Sequence, residues 1–398
     1  MRSGRIARGL APTVVLLVVL AVAGCRPTAS FYVVPEVLPP NPGDVIHTQS
    51  VRFDQQLNGI RALAVMYRST TAADVPNAVT GTLLVPEAPW EGPGVRPIVA
   101  FGPGTQGVGD RCAPTRTYND GSNYELTTVR AFLDQGWAVA ATDYEKMGTP
   151  GNPTYLVKDA AAHALLDIVR AAQRLPGSGV SPDAPVGLWG YSQGGQAAGG
   201  AAEMESTYAP ELNIAGAVIG GVPADGLAVA ANLDSDGPGN DFFSFLAFTA
   251  VGYDSAYPEL DLASYLNDEG RAVLAQGTEG RGVCLSDGLA LLRGRHVAEL
   301  TTSNPLDTPQ WQTRIAQQDL GSTAPTVPVF QFHGTTDQVI PIVVAEALRD
   351  AWCLGGTPLT YATYPADHVT GVYIGTPGGV DFLTARFAGD APDSTCPA

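Results

Sequence analysis

The run Gly187-Leu-Trp-Gly-Tyr-Ser192-Gln-Gly-Gly195 places a serine in Gly190-x-Ser192-x-Gly194, directly after the short apolar stretch 185–189. A serine hydroxyl attacks an acyl carbonyl when a base takes its proton and a carboxylate orients that base. The flanking glycines let neighbouring backbone pass a strained strand-to-helix turn without a side-chain clash. The chain has five histidines to supply the base. His368, in Tyr364-Pro-Ala-Asp-His368-Val-Thr-Gly371, follows the apolar stretch 359–364, where a base can swing over the serine. His47 in a proline-rich arm, His163 in an amphipathic helix, His296 in an arginine-flanked helical stretch and His333 at a strand end each fit a structural role better. For the acid, Asp337 sits four residues beyond a strand in Gln331-Phe-His-Gly-Thr-Thr-Asp337. Asp367 is the rival, but a side chain next to His368 in sequence tends to point elsewhere and fits a turn. An oxyanion hole needs two backbone N–H donors. Gln193, the residue after the nucleophile, supplies one, and Thr105 or Gln106, in Gly102-Pro-Gly-Thr105-Gln106-Gly107, supplies the other.

These residues need a scaffold that brings distant loops to one edge. Six short apolar stretches, 97–101, 138–144, 184–191, 214–221, 327–333 and 359–364, read as strands. Helical patterns separate several of them. In the helix predicted over 158–175, Ala161, Leu165, Ile168 and Ala172 form an apolar stripe, with Asp167, Arg170 and Arg174 on the other side. Alternation of this kind builds a mostly parallel sheet with helices on both faces, and ligands bind beyond its C-terminal strand ends. The order Ser192, Asp337, His368 is that of an α/β-hydrolase. We expect the core in 51–223 and 324–398, with 224–323 inserted as a mainly helical cap. The cap carries Asp241-Phe-Phe-Ser-Phe-Leu-Ala-Phe248, in which Phe242, Phe245 and Leu246 share a helical face and can line an acyl tunnel or pack the cap on the body. Phe242 and Phe245, with Tyr144 at the end of a strand, are the candidate substrate contacts.

The N-terminus sets the compartment. Arg2, Arg5 and Arg8 precede the apolar run 10–23, too short for a comfortable membrane span and suited to an export signal. The run ends in Leu20-Ala-Val-Ala-Gly-Cys25, which resembles a bacterial lipobox, so 1–25 reads as a lipoprotein signal peptide with Cys25 as the acylated residue. Residues 26–50, punctuated by Pro35, Pro39, Pro40 and Pro42, read as an extended arm. The product is a cell-envelope lipoprotein held at the membrane, or a secreted protein if Cys25 is not acylated. Export leaves Cys112, Cys284, Cys353 and Cys396 to pair as two disulfides, with three connectivities open. No pair has the C-x-x-C spacing of a zinc site, and no metal is expected. A formal net charge of −17 argues against nucleic acid as a partner.

Taken together, Phe31-Tyr-Val-Val-Pro35, Gly104-Thr-Gln-Gly-Val-Gly-Asp-Arg-Cys-Ala-Pro114, Asp143-Tyr-Glu-Lys-Met-Gly148, Gly190-Tyr-Ser-Gln-Gly-Gly195, Gly220-Gly-Val-Pro-Ala-Asp225, His333-Gly-Thr-Thr-Asp337 and Asp367-His368 resemble the secretory lipase family, the lipase A-like branch of the α/β-hydrolases. The resemblance covers nearly the whole mature chain. It implies Ser192, Asp337 and His368 as the triad and pairs Cys112 with Cys284 and Cys353 with Cys396. It implies a carboxylic-ester hydrolase, a triacylglycerol lipase or esterase of lipid catabolism working through an acyl-serine without a cofactor. The alternatives are acyl transfer to an envelope alcohol or sugar by the same triad, and a non-catalytic lipid-binding envelope protein.

Overall fold

The computed structural model describes residues 31–51, 57–278 and 282–397; the signal segment and Cys25 lie outside them. Nine strands form one sheet in the order β1-β2-β3-β5-β4-β6-β7-β8-β9. They are β1 Val45–Val51, β2 Ile60–Thr70, β3 Pro76–Pro86, β4 Ile98–Gly102, β5 Ala138–Glu145, β6 Val186–Tyr191, β7 Ile214–Gly220, β8 Val329–Gly334 and β9 Leu359–Tyr364. From β5 through β4 to β9 every pairing is parallel. β1, β2, β3 and β5 pair antiparallel.

The central strands are continuous apolar runs because helices cover both faces of a parallel sheet. Side chains alternate between two cores. Ile98, Ala100, Val186 and Leu188 pack with the helices Lys158–Arg174 and Gln193–Tyr208. Val99, Phe101, Trp189 and Tyr191 pack with the helices Leu126–Asp134 and His368–Ala388. This period of two fixes which strand residues face which helix layer.

Three features differ from the sequence expectation. β1, β2 and β3 were not among the six expected strands. Arg61, Arg68, Ser69 and Thr70 in β2, and Asn77, Thr80 and Thr82 in β3, interrupt the apolar pattern, and long antiparallel pairing supplies the order that the pattern hides. Of the expected arm 26–50, the described part 31–44 is irregular, but Val45–Val51 is an edge strand on β2. The expected polar side of the helix Lys158–Arg174 is largely buried. Asp167 is fully enclosed and accepts from Ser69 Oγ, Tyr208 Oη and Arg170, whose Nε donates to Glu211. The charges are tolerated inside because they are paired and hydrogen-bonded.

Between β7 and β8 the described chain is helical, with Gly226–Leu233, Phe243–Ala256, Asp268–Thr278, Leu285–Leu292 and Pro309–Gln317 its longer helices. A disulfide from Cys112 to Cys284 fastens the segment after β4 to this insert, and one from Cys353 to Cys396 fastens the C-terminal tail.

Candidate active site

Ser192 lies between β6 and the helix Gln193–Tyr208 with φ 57° and ψ −119°. A non-glycine residue held at such angles stores about 1–3 kcal/mol of strain, which persists only where the surroundings over-determine it. They do so here. Ser192 N–H donates to the carbonyl of Gly220 at the end of β7. A Cβ at Gly190 would fall 1.8 Å from the Gly194 carbonyl oxygen, and one at Gly194 would fall 1.9 Å from that of Gly102. The two motif glycines are therefore required by backbone passing over backbone.

His368 opens the helix His368–Ala388, just after β9. Its Nδ1 lies 2.7 Å from Asp337 Oδ2 and its Nε2 lies 3.0 Å from Ser192 Oγ. With the Nδ1 proton on the carboxylate side, Nε2 is left as acceptor for the serine hydroxyl. The imidazole is also held through its backbone: His368 N–H donates to Gln338 Oε1, and Tyr191 Oη donates to the His368 carbonyl. Asp337 Oδ1 accepts the N–H groups of Val339 and Ile340 at 2.9 and 2.8 Å. Burial pushes the Asp337 carboxyl up, but the neighbouring His368, His333 and Ile340 N–H outweigh it and leave the carboxyl below its ordinary range. It is a carboxylate at neutral pH.

The rivals have other roles in the structure. Asp367 is the N-cap of the helix that His368 opens, and its Oδ1 accepts the Thr370 N–H at 2.7 Å. His333 Nε2 donates to the Ile340 carbonyl and steadies the turn that carries Asp337; burial pushes the pKa of this ring down. His47, His163 and His296 each bond a backbone carbonyl, of Phe31, Thr70 and Asp234 respectively.

The loop after β4 is held by its carbonyl groups. Those of Pro103, Gly104, Thr105 and Gln106 accept from Tyr144 Oη, Gln106 Nε2, Tyr124 Oη and Leu285 N–H. Among the described residues the N–H groups of Gln193, Thr105 and Gln106 have no acceptor, which leaves them available to a ligand oxygen. Tyr144 was expected at the substrate; instead its ring is buried and its hydroxyl supports this loop from below.

A cavity of about 140 Å³ has Ser192, Tyr155 and Gln196 on its wall, and the rest of its lining is overwhelmingly apolar and comes mostly from the insert. Phe243, Phe245 and Phe248 line it. Phe242 does not: it is the N-cap of the helix Phe243–Ala256 and packs its ring 5.6 Å from that of Phe245. Of the face expected to carry Phe242, Phe245 and Leu246, Phe245 and Leu246 line the cavity, whereas Phe242 belongs to the turn Pro238–Phe242 that precedes the helix.

The secretory lipase family model matches residues 115–394. The chain belongs to the secretory lipase family. It is 31% identical over 83% of its length, and 74% of the relative's, to the probable inactive lipase MT1628 of Mycobacterium tuberculosis. Against the secreted triacylglycerol lipase LIP2 of Malassezia furfur it is 28% identical over 83% of this chain and 72% of that protein. The structure is similar to that of Candida antarctica lipase A in its closed state, with a TM-score of 0.78 and 25% identity over 89% of this chain and 84% of that one. The fold is that of the α/β-hydrolases, and the family supports a lipase or esterase activity and export.

In this member of the secretory lipase family, several supports of the site were missed from the sequence. Tyr191 and Gln338 leave no local mark, because their partner, the His368 backbone, lies on another element, whereas the Val339 and Ile340 amides bond Asp337 two and three residues away, a local Asx-type turn. Gln196 could have been found, since it stands one helical turn beyond Ser192 and so shares its face of the helix.

Proposed function

We propose that this protein is an exported serine hydrolase that cleaves long-chain acyl esters, triacylglycerols among them, through an acyl-enzyme on Ser192. The observation that carries the reading is the hydrogen-bond chain from Asp337 through His368 to a strained Ser192 on the wall of an apolar cavity. In the proposed mechanism His368 takes the Ser192 proton as Oγ attacks the ester carbonyl. The carbonyl oxygen becomes negative and is met by N–H groups of Gln193 and of Thr105 or Gln106. His368 then protonates the leaving alcohol, and water repeats the sequence on the acyl-serine. Asp337 holds the imidazole in the required tautomer and stabilises its charged form. An apolar cavity favours an alkyl chain, since each buried methylene contributes up to about 0.8 kcal/mol.

Lipid catabolism at the cell envelope is the proposed setting, with Cys25 acylated and holding the enzyme to the membrane. Cys25→Ser releases the protein to the soluble fraction under this reading; unchanged membrane retention contradicts it.

A second reading, a non-catalytic lipid-binding protein, is favoured by one observation, the word inactive in the name of the M. tuberculosis relative. Hydrolysis of p-nitrophenyl esters of increasing acyl length by the purified protein and by Ser192→Ala separates the two. Turnover that rises with chain length and vanishes in the variant supports the enzyme. Binding of fatty acid by both proteins without turnover supports the carrier.

A further inference from the structure

We propose that Glu125 is the positioning residue of the oxyanion loop: it holds Gly104 and Gln106 from beneath, so that the N–H groups of Thr105 and Gln106 stay free for the substrate oxygen. The proposal rests on the serine-hydrolase reading above. Glu125 immediately precedes the helix Leu126–Asp134 and is 1% exposed. Its two oxygens share the Gly104 N–H, at 3.1 and 2.9 Å, and Oε2 also accepts Gln106 Nε2 at 3.2 Å. The Gln106 amide is fixed from its other end as well, since Oε1 accepts from Asn123 Nδ2. Asn123 Oδ1 in turn accepts the Glu125 N–H at 2.9 Å, which closes the ring of bonds. Its side-chain partners in this ring are Gly104 and Gln106, on either side of Thr105.

A buried polar group without a partner is costly, so the loop and the carboxyl hold each other in one arrangement. The groups facing the carboxyl are the two loop amides and the phenols of Tyr118, Tyr124, Tyr144 and Tyr373. No cation is among them. Burial pushes the Glu125 carboxyl up to about 8, against the pull of the Gly104 N–H. It is largely neutral at pH 7 and gains its charge on the alkaline side. A negative charge under this loop opposes the negative oxygen that the loop stabilises, so turnover falls as Glu125 ionises.

The test is steady-state hydrolysis of a p-nitrophenyl ester by wild type, Glu125→Ala and Glu125→Gln from about pH 6 to about pH 10. Glu125→Ala loses about 100-fold in kcat with KM within about threefold of wild type, the size of effect expected when one oxyanion donor is misplaced. Glu125→Gln, whose amide oxygen still accepts the Gly104 N–H, recovers part of the loss and lacks the fall in kcat that wild type shows near pH 8. A kcat for Glu125→Ala within about threefold of wild type overturns the proposal, as does an unchanged alkaline fall in Glu125→Gln. If Glu125→Ala does not fold, the pH profile of Glu125→Gln decides alone. Wild-type turnover with unaffected variants removes this proposal only, whereas absence of wild-type turnover removes the hydrolase reading and the proposal with it.

Discussion

Nδ1 of His368 lies 2.7 Å from Oδ2 of Asp337, and the other oxygen of that carboxylate is tied to two successive backbone amides, Val339 and Ile340. The carboxylate cannot rotate away without abandoning both N–H groups. Asp337→Asn keeps the shape, removes the charge and can present an N–H to the imidazole, which forces the wrong tautomer. A loss in kcat of about 10³–10⁴-fold is expected. Asp367→Asn retains activity near wild type, because asparagine also caps a helix well. Measured kcat values in the reverse order show that the wrong carboxylate was chosen.

The second expectation concerns stability and pH. The Asp143 carboxyl accepts from Thr80 Oγ1 and from the N–H and hydroxyl of Thr115, and burial pushes it up to about 7 despite those bonds and the neighbouring Arg116. In the unfolded chain it ionises near its ordinary value of 3.8. Between these values the folded state holds a proton that the unfolded state has released, so the contribution to stability is complete below pH 4 and is lost as pH rises toward 7. The Glu125 carboxyl acts in the same direction up to about 8. Thermal midpoints of Asp143→Asn should therefore fall less steeply than wild type between pH 5 and pH 8. Parallel slopes contradict the assignment.

The two disulfides should separate by function. Loop closure over sequence separations of 172 and 43 residues predicts roughly 5 and 4 kcal/mol for Cys112–Cys284 and Cys353–Cys396. Both paired Cys→Ser replacements lower the thermal midpoint. Only the first also lowers kcat, because Cys284 adjoins Leu285, whose N–H donates to the Gln106 carbonyl in the oxyanion loop. An equal loss of kcat in both double variants counts against this division.

Substrate length is tested at Phe245. Phe245→Ala widens the cavity wall and shifts or flattens the dependence of kcat/KM on acyl length, while Phe242→Ala lowers stability and leaves the profile's shape alone. Thermal midpoints recorded alongside separate packing from binding. Identical chain-length ratios in wild type and Phe245→Ala take Phe245 off the substrate path.

The residues at the centre of the site were legible because each sits in a local pattern that its geometry demands. Gly190 and Gly194 are required by carbonyl groups within 2 Å of any added Cβ, and Asp337 and His368 follow short apolar strands. What was not legible depends on partners far off in sequence. Tyr144 looked like a substrate contact at the end of the expected strand 138–144, yet its hydroxyl donates to the Pro103 carbonyl. Asp167 and Arg170 looked solvated because they lie opposite an apolar stripe, but β2 and Tyr208 cover that side too. In the aromatic run Phe245 and Leu246 line the cavity as their spacing suggested, but Phe242 does not, since it belongs to the turn Pro238–Phe242 ahead of the helix.

The proposed catalysis passes through a covalent acyl-serine at Ser192. Mixing the full protein with a long-chain p-nitrophenyl ester, quenching in acid and mapping the peptides by mass spectrometry tests it directly. An acyl group is expected on the peptide containing Ser192, with a burst of p-nitrophenol matching the enzyme concentration, and neither in Ser192→Ala. Sustained ester turnover by Ser192→Ala, or wild-type turnover with the acyl group trapped on a different residue, would contradict it.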